Sequence, residues 1–292
     1  MGRPNKFQIM ELFKSDIVEM LQSTEKTIFT EGDLADILAD NRSDWKLPFS
    51  ASVEDFIYFL TNATLLDLVE LDFPTIVIKR YIFGKNEPSV YEIACSFHEK
   101  VYLSHYTAAF YHGLTDNIVK AVYINQEQSP KNDNDWVPTQ EAIHTAFSKP
   151  MRTTNRKTIY KGQKIHWLTG KNTGQLGVIE EERIRLTNIE RTLIDIAVRP
   201  EYGGGVHEIL TMYQNAKDQV SVNKIYSYLK KLNHVYPYHQ SIGFYLEKAG
   251  YKESSLRLLE RFPIEMDFYL DYELKDKHYS ERWKLYYPAY LD

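Results

Sequence analysis

Apolar and polar positions in the first 63 residues repeat with the period of amphipathic helices. Apolar side chains recur every three or four residues between positions 7 and 21, which predicts a first helix. Thr30 and Ser52 each stand three residues before an aspartate, Asp33 and Asp55. The hydroxyl group of such an N-cap residue satisfies free amide groups at the start of a helix. The pattern therefore predicts three helices in this part of the chain.

After the third helix the spacing changes to that of β-strands. Two β-branched and aromatic runs, 68–72 and 75–83, are joined by Phe73-Pro74 and predict a hairpin. The polar segment 84–89 predicts a linker. Three helices followed by a two-stranded wing are typical of a winged helix-turn-helix, which usually places its third helix in the major groove of DNA.

The remaining residues mix both periods. A helix over 104–111 is predicted to end at Gly113, and a helix over Ile189–Val198 to begin at a capping box of Thr187 and Glu190. Strict alternation over 265–275 predicts a half-buried strand. Further helices are predicted over about 206–217, 221–234 and 241–249, and further strands over 91–97, 160–167 and 177–184. We therefore predict a mixed α/β (α+β) chain, with a winged-helix domain over 1–88 and a larger mixed α/β domain over 89–292.

Composition narrows the class of protein. The 292 residues are 43% hydrophobic and 26% charged, as in an ordinary soluble protein of two domains. No uncharged apolar run is long enough to span a membrane, and the amino terminus leads into a charged helix rather than a secretory signal. The single cysteine, Cys95, cannot form an internal disulfide. We expect a cytoplasmic protein without a membrane partner.

Charge is distributed unevenly along the chain. Residues 1–90 hold 9 basic and 15 acidic side chains, although the whole chain has a net charge of −5. The segment 149–171 holds seven basic residues and no acidic one. Such a run is often only a solvated surface, but its length also fits contact with nucleic acid, whose affinity for proteins comes largely from phosphate neutralisation.

Three segments of the larger domain resemble the AbiEi-like antitoxins, which are transcriptional regulators of type IV abortive-infection toxin–antitoxin systems. The segments are 102–115, with the sequence YLSHYTAAFYHGLT; 189–195, IERTLID; and 242–247, IGFYLE. The resemblance implies a winged helix before this domain and repression of the protein's own operon by binding operator DNA. It also implies antagonism of a nucleotidyltransferase-type toxin in phage defence, without enzymatic activity or a cofactor. The chain departs from the expected pattern at Gln240-Ser241, where a basic residue is expected.

The winged helix and the basic segment supply the candidate DNA contacts. Lys79 and Arg80 in the wing are expected to grip phosphate, and Asn62 of the third helix could read adenine. The full set is Arg42, Lys46, Asn62, Lys79, Arg80, Arg152, Arg156, Lys157, Lys161 and Lys164.

Other features favour an alternative role in protein interaction. Glu54 and Asp55 open the third helix, and no Lys or Arg lies between residues 50 and 78. A winged helix of this kind can serve in dimerisation or protein contact, so an antitoxin or adaptor that does not bind DNA is the alternative.

An enzymatic alternative rests on the acidic face of segment 265–275. Asp267, Asp271 and Glu273 could in principle hold Mg²⁺ in a metal-dependent nuclease. Same-face residues on a strand are about 6.6 Å apart, which spreads carboxylates rather than converging them. We therefore predict no catalytic residue, no metal site and no cofactor. Arg191 and Asp195, four residues apart on one helix, are expected to form a structural ion pair.

Overall fold

The computed structural model describes residues 4–85, 87–118, 120–130 and 137–292. Two compact units are present: one contains the residues up to Phe97 together with Thr158–Gly162, the other His98–Lys157 and Gln163–Asp292. The first unit thus extends past the predicted boundary at residue 88. Helices occur with three β-sheets in the described ranges, which confirms the predicted mixed α/β (α+β) class. None of the helices in those ranges combines the length and the apolar character needed to cross a bilayer.

The first unit combines helices with a small antiparallel sheet. Its helices are α1 (Lys6–Leu12), α2 (Lys14–Ser23), α3 (Glu31–Asn41), α4 (Val53–Asn62) and α5 (Val90–Cys95). Its strands β1 (Ile28–Phe29), β2 (Leu66–Phe73) and β3 (Ile76–Phe83) lie in the order β1-β3-β2. The predicted hairpin is confirmed, with Phe73 opposite Ile76 at its turn.

Helix starts in this unit follow the predicted capping chemistry. The side chains of Thr30 and Ser52 accept hydrogen bonds from the amides of Asp33 and Asp55, and both aspartates complete capping boxes. The predicted first helix is divided at Phe13 into α1 and α2.

The predicted strand over 91–97 is wrong, because this segment forms helix α5. Ser89 caps its first turn and Glu92 completes the capping box. Ile93, Ala94 and Phe97 are buried, with the spacing of one helical face. The three-residue spacing between Ser89 and Glu92 therefore indicated the start of a helix in the sequence.

The second unit contains a larger mixed sheet and a small one. The strands of the larger sheet are β4 (Tyr102–Leu103), β5 (Ala121–Glu127), β6 (Lys157–Tyr160, mostly in the first unit), β7 (Gln163–Gly170), β8 (Val178–Glu181) and β9 (Ile184–Thr187). Within the second unit the order is β7-β5-β4-β9-β8, with β5 parallel to β7 and β4 parallel to β9. The small sheet, in the order β10-β12-β11, consists of β10 (Phe268–Tyr269), β11 (Lys277–Ser280) and β12 (Leu285–Pro288).

Helix α8 (Ile189–Val198) lies in the middle of this unit, and its residues 190–197 are all buried. The remaining helices are α6 (His105–Tyr111), α7 (Gln140–Phe147), α9 (Val206–Asn215), α10 (Val222–Leu232), α11 (Tyr238–Lys248) and α12 (Glu253–Leu259), with 3₁₀ turns at Pro200–Gly203 and Ala289–Leu291. Helices α6, α9, α10 and α11 all contact α8. The burial of both faces explains why α8 carries so few exposed polar side chains.

The predicted cap of α8 is wrong in its residues. Asn188 is the N-cap, and its side chain accepts from the amide of Arg191 at 3.0 Å. Thr187 instead contacts the hydroxyl of Thr192 at 2.8 Å. Glu190 pairs with Lys224 of α10 at 2.9 Å, so its carboxylate ties two helices together.

Two predicted strands are shorter than their alternating patterns. Lys161 and Gly162, both with positive φ, form a turn that divides segment 160–167. In segment 265–275 only Phe268–Tyr269 is a strand. The chain then turns, and the amide of Glu273 bonds to the carbonyl of Phe147. Burial does not alternate in this segment, because Phe268, Tyr269 and Leu270 are all buried, so the alternation of residue types was misleading.

A close helix contact holds the C-terminal part of this unit. The indole of Trp283 is fully buried and lies directly over Gly243 of α11. Its Nε1 donates to Glu247 Oε2 at 2.7 Å, one turn along the same helix. A Cβ atom at residue 243 would stand 2.6 Å from Trp283 Cε3 and closer to other ring atoms. The helix can therefore approach this ring only with glycine at that position.

We expect Gly243→Ala to destabilise the protein. Overpacking costs roughly 1–3 kcal/mol, and a rigid indole puts this site at the upper end of that range. The free energy of unfolding, measured by urea denaturation, should fall accordingly. Gly32→Ala in α3 is the control, since a Cβ there meets only Thr30 Oγ1, at 3.6 Å. Equal stability of the two variants would contradict the close packing at Trp283.

Candidate functional site

The exposed side of α4 carries the N-terminal candidates for base contact. Glu54, Tyr58 and Asn62 are exposed on this helix, as a reading helix requires. Asp55 forms an ion pair with Lys6, and this hydrogen bond, together with that from the Ser52 amide, lowers the pKa of the carboxyl group. The negative charge of Asp55 is therefore already paired. Glu54 is the acid at the start of the helix whose charge would face a nucleic acid.

Arg80 makes internal contacts, although it was predicted from the sequence to contact phosphate from the wing. The side chain is buried, with 7% exposure. Its Nη2 donates to the carbonyl of Ser96 at 2.6 Å and its Nη1 to the carbonyl of Lys79. Arg80 thus connects the hairpin to the residue after α5 and is not available at the surface.

The other N-terminal cations differ in availability. Lys79 is paired across the hairpin with Glu70 at 3.3 Å. Arg42 donates to the carbonyl of Pro48 at 2.7 Å and so orders the connection between α3 and α4. Lys46 is exposed in that connection, with no ion partner among the described residues. Lys46 and Asn62 are therefore the predicted contacts among residues 1–97 that are exposed and not already committed to an ion pair or a backbone carbonyl group among the described residues.

The cations of the basic segment 149–171 differ in their contacts. Lys161 pairs with Glu87 within the first unit. In the second unit, the guanidinium of Arg156 lies 3.6 Å from the ring centre of Trp167, in a cation–π contact. Lys157 and Lys164 are exposed, and burial together with these two charges lowers the pKa of His166 to about 4. Three further cations of the segment line a cleft.

This cleft lies entirely within the second unit and has a volume of about 1190 Å³. Helix α8 and the residue after it contribute Arg191, Asp195 and Arg199 to the lining, and α7 contributes Glu141. Four cations of the lining are exposed, and we call them the cationic group. They are Lys149, Arg152, Lys171 and Arg199.

A buried ion pair fixes one side of the cleft. Arg191 Nε lies 2.7 Å from Asp195 Oδ1, which is the predicted i,i+4 pair. Its Nη1 also donates to the carbonyl of Leu176 at 2.9 Å and to Thr173 Oγ1 at 3.2 Å. Burial opposes the charge of Arg191, but the Asp195 carboxylate raises its pKa above the ordinary value. The guanidinium is therefore held charged and in one orientation.

A second network holds the loop that faces Arg191. Glu127 accepts hydrogen bonds from the amides of Thr173 and Gln175, at 2.8 and 3.1 Å. It also accepts from the hydroxyl of Tyr102 at 3.2 Å, and Asn125 donates to that hydroxyl at 2.6 Å. Because these groups bond one another, the cleft has a preorganised polar side.

Two histidines that line the cleft are kept neutral. Burial lowers the pKa of His105 to about 3, and the charges of Arg199 and Arg191 act in the same direction. Burial lowers the pKa of His234 to about 4, with Arg191 and Lys171 adding to the effect and Asp195 opposing it. The Nε2 atom of His234 is buried without a hydrogen-bond partner in the described part of the chain.

The acidic residues proposed for a nuclease are separated by their contacts. Asp267 accepts from the hydroxyl of Tyr279 at 2.6 Å, and Asp271 accepts from the amide of Tyr272. Glu273 is exposed, in a turn with φ of +51°. Among the described residues no group of three or more His, Cys, Asp or Glu side chains is arranged to hold a metal ion.

Gln240, where a basic residue was expected from the sequence, is an interior residue of the second unit. Its side-chain amide is fully buried and donates to the carbonyl groups of Met266 and Trp283, at 2.9 and 2.6 Å. The position therefore supports the packing of α11 against the small sheet.

Comparison with known proteins gives a similarity of fold. The RV2827C protein from Mycobacterium tuberculosis has a crystal structure that matches with a TM-score of 0.61 and 12% identity, covering 94% of this chain and 91% of that one. No family model and no curated protein matches the sequence. At 12% identity the match shows a common fold alone.

The low pKa of His105 predicts a pH-dependent stability. The unfolded chain takes up a proton near pH 6.5, whereas the folded protein resists it down to about pH 3. The stability contributed by neutral His105 is thus complete above pH 6.5 and is lost as the pH falls towards 3. The expected slope is about 1.4 kcal/mol per pH unit between roughly pH 5.5 and 4.

His105→Asn should remove this contribution, since asparagine does not titrate and tolerates the positive φ of 52° at this position. Urea unfolding at several pH values should show a flatter dependence than for the wild type. Exposed His207→Asn is the control, because it removes an imidazole that is not buried. An identical slope in all three proteins would contradict the burial of a neutral imidazole.

Proposed function

We propose that this chain is an AbiEi-like antitoxin that also represses its own operon by binding DNA through its first unit. The observation that carries the DNA part is the element order of that unit. Helices α3 and α4 are followed by the β2–β3 hairpin, and β1 pairs with the far side of β3. This arrangement supports a winged helix-turn-helix, in which the second helix of the pair reads the major groove.

On this proposal α4 is the reading helix. Asn62 is exposed near its end, and an asparagine amide can bond both polar atoms of an adenine edge. Exposed Lys46, in the connection before α4, supplies a phosphate contact. Arg80 has no part in binding, because its guanidinium is committed to the carbonyl of Ser96.

The antitoxin role rests on the three segments that resemble the family. They contribute to α6, α8 and α11, which pack together in the core of the second unit. His112, from the first segment, makes a 2.6 Å contact between its Nε2 and the carbonyl of Thr187, just before the second. The residues of these three segments therefore stabilise the fold of the second unit. We assign toxin antagonism to the exposed surface of that unit.

The DNA part is tested by binding to a duplex from the region upstream of the gene. Fluorescence anisotropy should show an affinity that falls steeply with salt. Asn62→Ala should reduce discrimination against an unrelated duplex by about 1–3 kcal/mol, and Lys46→Glu should weaken binding to both duplexes and lower the salt dependence.

Lys14→Glu is the charge-matched control, because Lys14 is already paired with Glu11 at 3.6 Å. Its effect should be small. Absent or salt-insensitive binding by the wild type would reject the DNA part and leave an antitoxin that acts only through protein contact.

The antitoxin part is tested by growth. Expression of a nucleotidyltransferase-type toxin encoded beside this gene should arrest growth, and co-expression of the full chain should restore it. The double variant Lys46→Glu with Asn62→Ala should restore growth equally well, since antagonism is assigned to the second unit. Failure of the wild type to restore growth, at normal expression of both proteins, would reject the antitoxin role.

A further inference from the structure

The cleft of the second unit has an excess of positive charge among the described residues. Arg191 and Asp195 neutralise each other as a buried pair. Beside them, the described lining holds the exposed cations Lys149, Arg152 and Arg199 and one exposed carboxylate, Glu141. The same excess is felt by His105, whose pKa is lowered by burial and further by Arg199 and Arg191. An anionic ligand is therefore the chemical class that this cleft favours.

The cleft also contains lining residues of a different chemistry. Its lining includes aromatic rings and aliphatic side chains beside the cations. These residues are Tyr202, Tyr236, Tyr238, Tyr272, Leu168, Val198, Leu232 and Val235. Small-molecule sites are usually apolar surfaces with a few convergent polar groups, in volumes of roughly 300–1,000 Å³. A cleft of about 1190 Å³ has room for a ligand with both an anionic and a planar apolar part.

We infer that this cleft binds a nucleoside triphosphate, with its phosphates at the cationic group and its base against the aromatic and aliphatic lining. A triphosphate offers several anionic oxygens to the exposed cations, and arginine and lysine are the common phosphate-binding side chains. The inference does not depend on DNA binding by the first unit, which uses different residues.

The experiment titrates the purified full chain with ATP by isothermal titration calorimetry. Adenosine, sodium pyrophosphate and a ten-nucleotide single-stranded DNA are titrated in parallel. ATP should bind saturably and more tightly than adenosine or pyrophosphate, since each of these lacks one half of the recognised chemistry. The oligonucleotide separates a free nucleotide from the phosphates of a nucleic-acid strand.

A charge-matched pair of variants locates the site. Lys149→Glu with Arg152→Glu reverses two exposed cations of the cleft, and should weaken ATP binding by at least about tenfold. Lys157→Glu with Lys164→Glu reverses two exposed cations outside the lining, and should change the affinity less than about twofold. Both pairs replace exposed side chains, and unchanged thermal melting midpoints confirm their folding.

Several results would overturn the inference. These are no saturable ATP binding up to millimolar concentration, equal weakening by both pairs of variants, or binding of the oligonucleotide without binding of ATP. Equal affinity for ATP and pyrophosphate would also overturn it, because the base would then contribute nothing. None of these results bears on operator binding, which is measured with Lys46 and Asn62 variants.

Discussion

The buried ion pair of Arg191 and Asp195 is the constraint on which the second unit depends. Taking two charges out of water is costly, and losing one partner of such a pair costs about 3–5 kcal/mol because the other charge stays buried. Arg191 reduces the cost by bonding the carbonyl of Leu176, and Glu127 holds the same loop from its other side. Helix α8, the loop at residues 173–176 and the end of β5 are therefore connected by these hydrogen bonds, and they form one preorganised side of the cleft.

Cations elsewhere in the chain show why a charge count is a poor guide to a binding surface. Arg80 and Arg42 each donate to backbone carbonyl groups, and Lys79 and Lys161 each pair with a glutamate. Arginine suits such tasks because its planar group offers several donors and keeps its charge when partly buried. Of the basic residues predicted to contact DNA, the ones that remain exposed lie in different parts of the fold, and only Arg152 lines the cleft.

Local chemistry made much of the fold predictable. The hydroxyl-to-aspartate spacings at Thr30 and Ser52 fixed two helix starts, because a capping box involves residues three apart. The same rule applied to Ser89 and Glu92 would have found α5, where apolar alternation suggested a strand. Alternation was misleading again around Phe268, because Tyr269, on the predicted outer face, is buried like its neighbours and the strand ends after two residues. Capping residues report the backbone conformation directly, which the alternation of residue types does not.

The cleft could not be predicted, because its residues come from distant parts of the sequence and meet only through tertiary packing. Lys149 and Arg199 are about fifty residues apart, and nothing in either neighbourhood indicates a common site. The basic run 149–171 gave the only signal, but the fold divides that run between the cleft, a cation–π contact on Trp167 and an ion pair with Glu87. The segments that resemble a family are mostly interior, so they preserve the scaffold. Lys149 and Arg152 line the same cleft as the buried pair of Arg191 and Asp195 but take no part in its hydrogen bonds, so their replacement leaves that pair intact.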